Sequence, residues 1–170
     1  FYRFSPLNHC EKHEIVLLDI EVAFSYTGEK TDRIDLVFYH TVDRRLMFVE
    51  VKRLSDSRLY VKGTVQAEVV EQLKRYKKRL KEETQQINGQ YNKVIDYYNT
   101  LSGGNLPHLL PESESFLGLL LVEFTRSEKD TINKKAVQNM MKQESLKMYS
   151  IGNTSSLTDA TLAAIYKSIR

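Results

Sequence analysis

Apolar and polar positions alternate along residues 15–26. Leu18, Ile20, Val22, Phe24 and Tyr26 fall on one face and Asp19, Glu21, Ala23 and Ser25 on the other, which predicts a half-buried strand. Thr27-Gly28-Glu29-Lys30 closes it as a turn. Two further runs, at 33–40 and 45–53, are rich in β-branched and aromatic residues and flank a polar turn at Thr41–Asp43. Three such strands in succession predict an antiparallel meander.

The period then changes. After a polar connection, Val69, Leu73, Tyr76, Leu80, Ile87, Tyr91, Val94, Tyr98 and Leu101 follow three-and-four spacing, which predicts a helix over 64–101. A polar gap at Glu83 and Thr84 leaves two forms open: one helix on the order of 50 Å long, at ~1.5 Å per residue, or two segments hinged near Asn88-Gly89. Residues 102–115 read as a loop. The almost unbroken apolar run 116–124 fits a strand covered on both faces in a parallel pairing, with the preceding helix as its crossover. Asp130-Thr131 is expected to cap a helix to about Lys147, with Ile132, Ala136, Val137, Met140 and Met141 inward. A short strand at 148–151 and a last helix follow. That helix is capped by Ser156 or Thr158 and carries Leu162, Ile165, Tyr166 and Ile169 as its apolar stripe. The expected fold is one α/β domain over 1–170, its mixed central sheet made of the antiparallel meander plus a parallel strand after the helical crossover, flanked by helices.

At 170 residues the chain is long enough to bury a sizeable core, and 41% hydrophobic with 28% charged residues suits a globular protein. The formal charge of +3 permits nucleic-acid binding without requiring it. The lone cysteine, Cys10, excludes an internal disulfide and suits a reducing, cytoplasmic setting. With His9 and His13 it makes a poor zinc site, because no fourth ligand is in view. No apolar run is long enough to cross a bilayer, so no membrane partner is expected. The start at Phe1 rather than Met suggests a fragment of a longer protein, with further domains or subunits.

The chemistry sits in the hairpin. Glu50 and Lys52, two residues apart on a strand, project together, and Asp35 lies between Ile34 and Leu36 on the neighbouring strand. Ionisable groups in runs this apolar require compensation by partners or a metal. Two carboxylates converging across strands offer the hard oxygen donors that Mg²⁺ or Mn²⁺ accept, with a lysine beside them to hold water or offset phosphate charge. The plain alternative is a hairpin whose acids pair with Lys52, Arg33 or Arg53 at a sheet surface.

Asp35, Glu50, Val51 and Lys52 resemble the core of the PD-(D/E)XK, or restriction-endonuclease-like, nuclease superfamily, with Ile34 where the family's Pro would stand. Gln72 and Tyr76 in EQLKRY resemble the QxxxY motif of the branch that includes lambda exonuclease and RecB-like nuclease domains. The resemblance spans roughly residues 15–125 as motif order and coarse topology. It implies that Asp35, Glu50 and the Val51 carbonyl ligate Mg²⁺ or Mn²⁺ and that Lys52 serves the attacking water. A further upstream ligand is expected in such proteins: Glu21 is the favoured residue here, ahead of Glu14, His13 and His9. Gln72 and Tyr76, one helical turn apart, would orient substrate phosphate or the catalytic loop, unless Tyr76 is simply core and Gln72 surface. The resemblance thus implies a metal-dependent nuclease acting on DNA before RNA, in an end-processing mode.

Lys74, Arg75, Lys77, Lys78, Arg79 and Lys81 form a cluster able to neutralise several phosphates, with Lys74, Arg75, Lys78 and Arg79 the expected backbone contacts. Glu71, Glu82 and Glu83 could equally balance them as a solvated helix face. Tyr91, Tyr97 and Tyr98 could stack bases, although Tyr91 and Tyr98 lie on the apolar stripe. The alternative function is a catalytically inactive nuclease-fold module that binds nucleic acid or protein.

Overall fold

The computed structural model describes residues 13–24, 32–60, 67–123, 132–152 and 157–170. The turn at Thr27–Lys30, the helix start at Thr64, the cap at Asp130-Thr131, and residues His9, Cys10 and Ser156 lie outside them. Among the described residues are β1 (Ile15–Phe24), β2 (Asp32–His40), β3 (Arg45–Arg53), α1 (Glu68–Glu82), α2 (Thr84–Ser102), β4 (Phe116–Val122), α3 (Ile132–Gln143), β5 (Lys147–Ser150) and α4 (Asp159–Ile169). The sheet order is β1-β2-β3-β4-β5, with β1 antiparallel to β2 and β4 parallel to β5. This is the expected α/β arrangement of a mixed sheet with helices. No described helix is long and apolar enough to cross a membrane.

The chain packs as two compact units: Phe1–Phe48 with Arg79–Phe116, and Val49–Lys78 with Leu117–Arg170. In the first, β1 departs from simple alternation. Ile15 to Leu18 are all buried while Ile20 is 60% exposed. The pairing with β2 shifts register between Leu17 and Asp19, and Glu21 takes φ 53°. A bulge resets which face each later side chain occupies, so the two-residue period cannot run through it.

The expected hinge near Asn88-Gly89 is also corrected. The helix breaks at Glu83, in the polar gap, and the Thr84 hydroxyl donates back to the Leu80 and Lys81 carbonyls at 2.8 and 3.1 Å. α2 then runs unbroken to Gly103, whose φ of 65° is the left-handed closure glycine adopts without strain. Asn88 is buried because it clamps the following loop. Its Nδ2 lies 3.0, 3.0 and 2.9 Å from the carbonyls of Leu110, Pro111 and Ser113. Asn92 and Asn99 extend the clamp, each donating to one backbone carbonyl and accepting the same residue's N–H, at Leu109 and Leu106 respectively. Side-chain amides thus satisfy a loop backbone that has no ladder of its own. Gly89 plays no comparable part, since a Cβ there would meet nothing within 4 Å. Gly89→Ala is expected to stabilise the protein by about 0.5–1 kcal/mol in urea unfolding, by removing a flexible residue from a helix interior.

In the second unit β4 is almost wholly buried, as its apolar run predicts. Gly118 admits α4 at close range: a Cβ there would stand 2.4 Å from Ile169 Cδ1. α3 ends earlier than its pattern suggests, at Gln143 rather than Lys147. Ser145 at φ 53° closes it, with Leu146 N–H donating to the Met141 carbonyl and Ser145 N–H to that of Lys142. Val137 and Met141 are buried as expected, and Ala136 and Met140 are half-buried. Thr158 caps α4 by accepting from Thr161 N–H.

Candidate functional site

β3 is an interior strand, and its residues from Leu46 to Glu50 are all buried. Alternation puts Glu50 and Lys52 on one face, where they are 1% and 4% exposed. A charge buried this far costs several kcal/mol unless paired. The pairing is direct: the Lys52 ammonium donates to Glu50 Oε1 and, at 3.2 Å, to the Val51 carbonyl. A carboxylate oxygen and a main-chain carbonyl therefore converge on one positive centre. Of the two sequence readings of this pair, the surface ion pair is the one the burial overturns.

The polar connection after β3 adds two charged groups that sequence reasoning passed over. Asp56 caps a single 3₁₀ turn, Ser57–Leu59, by accepting Arg58 N–H at 2.9 Å. The same carboxylate grips the Arg58 guanidinium through Nε at 2.9 Å and Nη2 at 2.6 Å. That hydrogen bonding holds the Asp56 carboxyl below its ordinary pKa, aided by the Arg58 and Lys52 charges. Arg58 is raised above its ordinary value, first by the Asp56 bond and then by the fields of Asp56, Glu50 and Glu68. The local signal was an Asp two residues before an Arg, an Asx-type cap inside a stretch read only as polar.

On α1, Gln72 and Tyr76 do share a face, and Gln72 Nε2 donates to the Tyr76 hydroxyl. Tyr76 is 1% exposed and Gln72 half-buried, so the tyrosine packs in the core and the glutamine orients its hydroxyl. The basic cluster divides. Lys74 pairs with Glu71 and Glu144, both at 3.3 Å, and Lys77 donates to the Glu144 and Ser145 carbonyls, so both cap the end of α3. Arg75 and Lys78 are exposed.

Asp35 and Glu21 belong to the other unit. Asp35 is half-buried on β2, and Glu21 stands opposite it, between the pairs Ile20–Leu36 and Val22–Ile34. Like charges facing across strands repel, and Glu21 is exposed with a positive φ. Glu14 is exposed at the foot of β1, its carbonyl accepting the Thr41 N–H and hydroxyl. Among the described residues no group of three or more His, Cys, Asp or Glu side chains is placed to hold a metal ion.

No family model and no curated protein matches this chain. The reading of the site therefore rests on its chemistry. The donor set around Lys52, one carboxylate and one carbonyl, is the hard-oxygen type that suits Mg²⁺ or Mn²⁺, which bind through one or two carboxylates and keep waters. Soft-metal chemistry has no comparable set among the described residues.

Proposed function

We propose that this chain is a restriction-endonuclease-like nuclease that hydrolyses phosphodiester bonds, in DNA before RNA, with Mg²⁺ or Mn²⁺. The observation that carries the reading is the buried Glu50–Lys52 pair, with Glu50 Oε1 and the Val51 carbonyl converging on one cation. A buried ion pair is seldom the cheapest way to fill a strand interior, since apolar residues of similar volume do as well or better. Its presence is accounted for if the carboxylate is needed for a metal and the ammonium for a phosphate or a water. The resemblance of Asp35, Glu50, Val51, Lys52, Gln72 and Tyr76 to the family motifs points the same way. A divalent cation there would polarise the scissile phosphate and lower the pKa of bound water. Glu50, the Val51 carbonyl and Asp35 would hold it, with Glu21 the proposed further ligand. Lys52 would orient the water or offset charge on the phosphate oxygens. Arg75 and Lys78 would meet the substrate backbone.

The test is incubation of the protein with single- and double-stranded DNA and RNA in Mg²⁺, Mn²⁺ or EDTA. Metal-dependent products are expected, lowered by roughly 10²–10³-fold or more in Asp35→Asn and in Glu50→Gln, each checked for retained fold. Salt-sensitive retardation of DNA without products would instead favour the inactive binding module.

A further inference from the structure

The unit containing β1, β2 and α2 holds a cavity of about 340 Å³ between the end of β1 and the first half of α2, within the size range of small-molecule sites. One wall is hydrocarbon, supplied by Val22, Ala23, Ile87 and Val94 with the Tyr91 ring. The other carries Asp19, Arg79 and Glu83, with the amides of Gln86 and Gln90 at the rim.

The polar wall has one more negative charge than positive. Arg79, expected from sequence to grip nucleic acid, lies 3.8 Å from Glu83 and is 14% exposed. That leaves the Asp19 carboxylate as the excess, fixed in place where Oδ1 accepts the Ile20 N–H at 2.8 Å. Tyr91 is 6% exposed, and its buried hydroxyl completes no hydrogen bond among the described residues. Burial first, then the neighbouring Asp19 charge, drive its pKa upward. Tyr98 is shifted the same way by the same two causes. A buried hydroxyl without a partner, facing a cavity beside a carboxylate, loses free energy that a ligand's donor would restore.

We infer that this cavity binds a small aliphatic cation, an ammonium or guanidinium on a short hydrocarbon stem. The charged head sits at Asp19 and the Tyr91 hydroxyl, and the stem lies along Val22, Ile87 and Val94. A carboxylate or phosphate ligand would add to the negative excess, and an uncharged apolar ligand would cover Asp19 without compensating it. The site is independent of the phosphodiester reading, and either can fail alone.

The test is methyl NMR of the whole chain titrated with n-butylamine and with agmatine at pH 7, using butyrate at equal ionic strength as the control. Saturable shifts are expected at Val22, Ala23, Ile87 and Val94 with the two cations and none with butyrate. Asp19→Asn is expected to weaken binding at least about 10-fold, the value of a charge-assisted contact. Ala23→Leu, at an exposed position, is expected to block the cavity and abolish the shifts, and it decides the matter if Asp19→Asn does not fold. Absence of saturable shifts with both cations overturns the inference, as does an equal response to butyrate or unchanged affinity in the folded variants.

Discussion

Lys52→Met is expected to lower the unfolding free energy by roughly 3–5 kcal/mol, the cost of leaving a buried carboxylate without its counter-charge. Glu50 is 1% exposed on an interior strand, and the ammonium of Lys52 compensates its charge there. Replacing both residues, as Glu50→Leu with Lys52→Met, is expected to bring stability back to the starting value or above it, because the desolvation cost of both charges disappears together. The two single variants and the double variant form a cycle whose coupling energy should be large and favourable to the native pair. Urea unfolding at constant m-value measures it. A single variant costing under about 1 kcal/mol would mean that water reaches Glu50 and that the pair behaves as a surface one. Since small domains have only about 5–15 kcal/mol in total, activity measured on Lys52 variants needs a parallel measure of folding.

Asn88→Asp is expected to be the most disruptive isosteric change in the other unit, costing on the order of 3 kcal/mol or more at pH 7. The Asn88 amide is 1% exposed and its Nδ2 faces the carbonyls of Leu110, Pro111 and Ser113. A carboxylate in its place would present oxygen to oxygen, with no N–H to share among them. The buried acid would have a raised pKa when folded. Its neutral form is therefore tolerated at low pH, and stability falls as pH rises above the ordinary carboxylate value. The gap between the variant and the unsubstituted protein should thus be smaller at pH 4 than at pH 7. Hydrogen exchange should quicken at the amides of Leu106 and Leu109, which Asn99 and Asn92 hold in the same clamp. Equal stability at both pH values would show that the clamp carries little of the loop's order.

The hairpin was the most legible part of the chain, because its apolar runs are short, β-branched and bounded by turn residues. The pairing of Glu50 with Lys52 followed from a period of two. Their depth of burial did not, since it depends on β3 being interior to the sheet, and strand order leaves no mark within the strand itself. β1 misled because a register shift and the positive φ of Glu21 break alternation at points where the residue types look regular. The long helical stripe was read correctly for period but not for its break. Glu83 and Thr84 carried the signal as a polar gap, while Asn88-Gly89 looked more like a hinge by residue type. Asn88 is instead paired with a loop more than twenty positions ahead, a contact no local pattern encodes. Asp56 and Arg58 were hidden for the opposite reason: their bond is local, but it lies in a segment without periodicity.

The most direct measurement is anomalous diffraction from crystals soaked in Mn²⁺. The account predicts one strong peak against the Glu50 carboxylate and the Val51 carbonyl, with the Lys52 ammonium turned away from Oε1, and loss of that peak in Glu50→Gln. An ordered Glu50–Lys52 contact unchanged at saturating Mn²⁺, with no peak beside it, would contradict the metal site and the nuclease reading built on it.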